Sequence, residues 1–170
     1  MLGQCLVSSH DGSLCMEAPE RKEIAAQTAV CLRHEGSFDE IGDVHRRLLR
    51  WAEANGVQVA GKGFTVFITP PDPRAPERAR YEVCLPAASA PAPEGEIEVK
   101  ELPAITVAAT VVKGPYSEIS KRYTEMLAWL SAEDMDIDGP PREVYLRRPA
   151  ADGSGDPGDF LTEIQIPIRA

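Results

Sequence analysis

No basic stripe runs through this sequence. Its 170 residues carry 18 Lys and Arg against 27 Asp and Glu, for a net charge of −9. The densest basic stretches, His45-Arg46-Arg47 and Arg147-Arg148, are short and have acids nearby. Without a cationic face there are few counterions to release from a phosphate backbone, so direct DNA binding is not expected. No apolar run approaches the roughly 18 residues of a membrane span, so no membrane partner is expected either. The stretch Met1 to Glu20 lacks both the basic start and the apolar run of a secretory signal, and a reducing, cytoplasmic setting follows. The four cysteines Cys5, Cys15, Cys31 and Cys84 form no CxxC pair and have no histidine at zinc spacing, so no metal site is expected. Cys31 and Cys84 lie in apolar runs and read as small buried hydrophobes. The histidines His10, His34 and His45 are scattered, with His45 read onto the polar side of a helix. Gly61-Lys62-Gly63 is too short for a phosphate-cradling loop, and no cofactor is expected.

What the chain does have is a repeat. Gly36 and Gly114 differ by 114 − 36 = 78 positions, and that offset also pairs Glu23 with Glu101, Thr28 with Thr106, Ile41 with Ile119, Trp51 with Trp129 and Val66 with Val144. Toward the end the offset becomes 81, pairing Glu82 with Glu163 and Pro86 with Pro167. The two tryptophans of the chain therefore coincide. The chain divides into an N-terminal extension of poor order (1–20), a first repeat (21–86), a Pro/Ala-rich linker (87–95) and a second repeat (96–169).

Each repeat reads as β-α-β-β. A long first strand (Glu23 to His34; Ile97 to Val112) is rich in Val, Ile, Thr and Ala. Ser37-Phe38-Asp39-Glu40 is a capping-box pattern, and Ile41, Val44, Leu48, Trp51 and Ala52 follow at helical spacing before Asn55-Gly56. In the second repeat, Gly114-Pro115-Tyr116 opens a helix with Ile119, Tyr123, Met126, Leu127 and Leu130 as its stripe. Two short strands close each unit. One such unit cannot bury both its sheet face and its helix stripe. The expected fold is therefore α+β: tandem β-α-β-β units forming a curved antiparallel sheet, two helices on one face, and a central ligand cleft related by a pseudo-two-fold.

Period-two alternation assigns the faces. In the strand at 142–146, Val144 and Leu146 are placed toward the helices, with Glu143 and Tyr145 on the other face. In the last strand, Ile164 and Ile166 are placed toward the helices, with Glu163 and Gln165 opposite. One sheet face would then carry two carboxylates and a phenol, with Thr65, Phe67 and Glu82 at the matching positions of the first repeat. Two readings stand side by side. Glu143 and Glu163 lie either on a solvated strand face or in a groove lined by Phe38, Phe67, Tyr81, Tyr116, Tyr145 and Phe160. In the second case a carboxylate among rings would attract an organic cation, or, with its pKa raised by burial, serve as a general base.

Several stretches resemble the GyrI-like domain, the effector-binding fold also found at the C-terminus of regulators such as BmrR and Rob. They are Val30 to Phe38, Tyr81-Glu82-Val83-Cys84-Leu85-Pro86, Gly114-Pro115-Tyr116, Gly139 to Tyr145, and Phe160 to Pro167. The resemblance spans about residues 22–169. It implies a small-molecule binding module for lipophilic compounds, cations among them, with Glu143 of the Glu-x-Tyr motif as anchor and Tyr145 and Phe160 beside it. Where relatives carry tyrosine, this chain has Phe160. The chain carries no helix-turn-helix. Some stand-alone relatives are hydrolases of strained cyclopropane-bearing toxins, which would make Glu143 the catalytic base and Tyr145 its partner. Others are gyrase inhibitors, which would make this an interaction protein.

Overall fold

A computed structural model of the chain describes residues 18–70, 72–89, 91–148, 150 and 154–170. Cys5, Cys15, His10 and nearly all of the N-terminal extension lie outside them. Eight strands and two helices follow one another: β1 (Glu20–Ile24), β2 (Gln27–Glu35), α1 (Ile41–Ala54), β3 (Phe64–Phe67), β4 (Arg80–Pro86), β5 (Ile97–Leu102), β6 (Ile105–Lys113), α2 (Ile119–Ala132), β7 (Arg142–Arg147) and β8 (Leu161–Pro167). The 78 offset carries β2 onto β6 and α1 onto α2, end for end, and the 81 offset carries β4 onto β8. This α+β arrangement is compatible with a duplication.

The strands form one antiparallel sheet in the order β1-β6-β8-β7-β3-β4-β2-β5. Each long first strand is broken, once at Ala25-Ala26 and once at Pro103-Ala104, because its two parts serve opposite ends of the sheet. Ile24 pairs with Ile105 and Gln27 with Leu102, so the register runs through the break unchanged. The break can span only about 10 Å. The two ends of the sheet must therefore lie side by side, which curls it into a half-barrel. The exchange is marked by ion pairs at matching positions: Lys22 with Glu163, and Lys100 with Glu82.

Both helices start from a short 3-10 turn, Phe38–Glu40 and Tyr116–Glu118. The Ser37 hydroxyl accepts the Asp39 N–H at 3.2 Å, using one of the free donors of the first turn. Each helix also stops in the same way. Val57 N–H donates to the Ala52 carbonyl and Met135 N–H to the Leu130 carbonyl. Between them Gly56 (φ 64°) and Asp134 (φ 55°) take the left-handed position.

Each helix packs its own core on the same sheet face. Val44, Leu48 and Ala52 of α1 meet Val30, Leu32, Val83 and Leu85. Ile119, Met126 and Leu130 of α2 meet Ala108, Val112, Ile164 and Ile166. Each large side chain fully buried here contributes about 1.5–3 kcal/mol of transfer free energy. Leu127, expected in the α2 stripe, is 48% exposed; its place is taken by Arg122, which turns inward to the Thr110 hydroxyl at 2.7 Å. The opposite sheet face holds a third cluster made of strand residues, with Ala29, Cys31, Phe64 and Cys84 at its centre and Val144 beside them.

Candidate functional site

Strands β3 and β7 join the two halves at the middle of the sheet, between the two helix cores. Register fixes which side chains face the helices there. Glu143 pairs with Thr65 on one side and with Ile164 on the other, and Ile164 packs under α2. Glu143 and Tyr145 therefore face the helices, and Val144 faces away into the third cluster. This reverses the assignment from alternation. The sheet is buried on both faces, so an apolar residue at 144 says nothing about which face it takes.

The helix side of the join carries Thr65, Phe67, Glu143 and Tyr145. The Tyr145 hydroxyl donates to the Thr65 hydroxyl oxygen at 2.9 Å, both residues buried. Rings gather on both sides. Phe38 stands edge-on to Phe67 at 5.3 Å and lies 5.9 Å from Tyr81. Tyr116 stands edge-on to Tyr145 at 6.3 Å and lies 5.5 Å from Phe160. Phe38 and Phe67 are the 78-offset counterparts of Tyr116 and Tyr145, so the two ring pairs are the same contact made twice. Tyr116 is 44% exposed and closes over Tyr145 and Phe160 from the solvent side.

Glu82 and Glu163 are not part of this cleft. They lie on the opposite face, where each is already neutralised: Glu163 by Lys22 at 2.9 Å, and Glu82 by Lys100 and Arg33. The two-carboxylate groove expected on one face is thus divided between two faces. Glu143, 9% exposed, has no salt-bridge partner among the described residues. Burial pushes its carboxyl up to about 7, and the Tyr123 hydroxyl, approaching without completing a hydrogen bond, pulls it part of the way back. Burial, and next the Glu143 charge, raise the pKa of both Tyr123 and Tyr145.

His45 was read onto the polar side of α1, but it is 2% exposed and its ring stands edge-on to Tyr145 at 5.1 Å. Neither ring nitrogen has a hydrogen-bond partner. Burial, helped by the charge of Arg148, lowers its pKa to about 3, so it is neutral in the folded protein. Position 45 is one turn past Ile41 and three before Leu48, which puts it within the stripe. The 78 offset makes Tyr123 its counterpart, and Tyr123 also buries a hydroxyl that lacks a partner. Sequence reading passed over His45 and took Tyr123 for core. The signal available was a polar atom at the same stripe position in both repeats.

On the opposite face, directly paired Cys31 and Cys84 bring their sulfurs to 2.7 Å, with a Glu82 oxygen 4.0 Å from Cys84 Sγ. The three bring ligand atoms within reach of one metal ion, but the Glu82 carboxylate is engaged by Lys100 and Arg33, and both cysteines are fully buried in the third apolar cluster, as read from the sequence.

A curled sheet with two helices on one face, and buried polar atoms left without partners between them, is the architecture of a small-molecule binding domain. The chain belongs to the GyrI-like small molecule binding domain family, whose model matches residues 17–169. Among solved structures the fold is similar to the EcmrR C-terminal domain (TM-score 0.79, 22% identity, covering 92% of this chain and 99% of that one). The chain spans 57% of the EcmrR chain in its complex with DNA. It is also similar to SAV2435 bound to tetraphenylphosphonium (TM-score 0.57, 14% identity, covering 91% and 95%). A hydrolase encoded by lin2189 from Listeria innocua is a further likeness (TM-score 0.63, 12% identity, covering 89% and 91%). At these identities the likenesses speak for the fold. No curated protein matches the sequence. No helix among the described residues is long and apolar enough to cross a membrane.

Proposed function

We propose that the protein binds lipophilic organic cations in the cleft between its helices, with Glu143 as the charge anchor. One observation carries this: a buried carboxyl without a counter-cation, set among Tyr145, Tyr116 and Phe160, while the other two candidate carboxylates are neutralised on the far face. A cation entering the cleft stabilises the ionised carboxylate and gains cation–π contact with the rings. Tyr116, half-exposed, is the side chain that must swing aside. The tetraphenylphosphonium held by SAV2435 is of this chemical class and is the natural probe. In calorimetric titration, tetraphenylphosphonium should bind, and Glu143→Gln should weaken it by on the order of 1–3 kcal/mol. Equal affinity in the two proteins would remove Glu143 from the site.

The same carboxyl supports a second reading. A pKa near 7 beside tyrosine hydroxyls suits a general base toward water, and a structural neighbour is a hydrolase. Incubation with a strained electrophile followed by mass spectrometry separates the two. Water addition beyond one equivalent per protein makes the chain an enzyme, and recovery of intact compound makes it a binder.

A further inference from the structure

On the α1 side of Tyr145 a separate groove of about 570 Å³ opens between the end of α1, the lead-in to β3 and the end of β7. Its floor is apolar, with Val59, Leu85 and Leu146, and its rim is basic, with Lys62, Arg147 and Arg148. No acidic side chain lines it. Lys22, Arg33, Arg46, Arg47, Lys100, Lys113, Arg122 and Arg169 all form ion pairs. Lys62, Arg147 and Arg148 are among the ten Lys and Arg that form none with the described residues, and they are the three that line this groove. Three cations converging on one apolar hollow, with no acidic side chain in its lining among the described residues, are complementary to an anion with a hydrophobic body. A second feature points the same way. His45 lies under Gly63, Leu85 and Tyr145, all groove residues, with both ring nitrogens unpartnered. A Cβ at Gly63 would come within 2.9 Å of its ring, so only the bare glycine backbone lies between His45 and the groove there. The charge of Arg148 is felt by His45, Tyr116 and Tyr145, which places this guanidinium at the boundary between groove and cleft.

We propose that this groove is a binding site for small amphipathic organic anions, sulfonates or carboxylates. Arg147, Arg148 and Lys62 hold the head group and Val59, Leu85 and Leu146 hold the chain. The site adjoins the Glu143 cluster through Tyr145, which belongs to both, and does not depend on a cation being bound there. Its opposite charge preference would let the protein take ligands of both signs at adjoining positions.

Octane-1-sulfonate, which is charged at all working pH values, is the probe. Octyltrimethylammonium carries the same chain with the opposite charge. Calorimetric titration of the wild-type protein should show octanesulfonate binding. Arg147→Gln combined with Arg148→Gln should weaken it roughly tenfold, as expected for two partly exposed charge contacts together. Glu143→Gln should leave it within about twofold, since Glu143 does not line the groove. Circular dichroism melting of the double variant confirms that it is folded. Absence of sulfonate binding, or affinity unchanged by the double substitution, overturns the proposal. So does loss of sulfonate binding on Glu143→Gln. Failure of the ammonium compound alone strikes the cleft reading and leaves the groove standing.

Discussion

Glu143→Gln should make the protein more stable at pH 8 and much less so at pH 5. In the folded chain burial holds this carboxyl at about 7, against about 4.5 for the free group. Below pH 4.5 the group is protonated in both states. Between 4.5 and 7 the unfolded chain gives up its proton while the folded chain keeps it, so stability falls as pH rises and levels off above 7. That interval corresponds to on the order of 3 kcal/mol. Glutamine has the shape of the neutral acid and never ionises, so it escapes the whole loss. For a chain of this size the difference is about 6–12 °C in melting temperature, at 2–4 °C per kcal/mol. His45 acts with the opposite sign below pH 6.5, but it is present in both proteins and cancels in the comparison. The assay is thermal denaturation of both proteins from pH 5 to 8.5, plotted as the difference. A flat difference would mean that Glu143 is not held neutral by its surroundings, and the physical basis for its role as anchor would go with it. The same reasoning predicts that cation binding near pH 6.5 releases protons, visible as a dependence of the calorimetric heat on the buffer's ionisation enthalpy.

Three further outcomes test neighbouring parts of the site. Gly63→Ala places a methyl 2.9 Å from the His45 ring and 3.1 Å from Leu85, and should cost about 1–3 kcal/mol in urea unfolding. Tyr145→Phe removes the 2.9 Å bond to Thr65 and strands that buried hydroxyl, at about 1–2 kcal/mol by the same measurement. His45→Phe should abolish the part of the wild-type stability loss that sets in as pH falls below 6.5, because the unfolded histidine takes a proton the buried one refuses. Denaturation at pH 5 and pH 7 reads this directly.

Much of the fold could be read from residue spacing. The 78 offset from Gly36 and Gly114 matches the bounds of β2 with β6 and of α1 with α2, and the 81 offset those of β4 with β8, although the first strands were expected at Glu23 to His34 and Ile97 to Val112. Ser37 marked the 3-10 turn that leads into α1, although Glu40 pairs with His34 instead of completing the capping box, and Asn55-Gly56 marked the helix end. The phase of β7 was not legible. Alternation assumes one dry face and one wet face, whereas Val144 enters a third apolar cluster and Glu143 sits at the gap between the two helix cores. Glu143 is nonetheless buried there, with the Tyr123 hydroxyl of α2 approaching it. The separation of Glu143 from Glu163 was hidden for the same reason, since it depends on that phase. The break within each long first strand was also invisible. Nothing in Ala25-Ala26 or Pro103-Ala104 says that the residues on either side belong to opposite ends of the sheet. Phe38, Phe67 and Tyr81 meet in one set of ring contacts, and Tyr116, Tyr145 and Phe160 meet in another.

The traded segments β1 and β5 make neither half self-sufficient, because each completes its sheet with a strand encoded in the other. A fragment ending near the linker would keep a donor strand with no home and a vacancy with no donor. Two such fragments could satisfy each other only by assembling as a symmetric pair. The covalent chain therefore does for this fold what dimerisation would do for a half-length chain. Cutting the linker should leave two pieces that stay together, whereas expressing either piece alone should give oligomers.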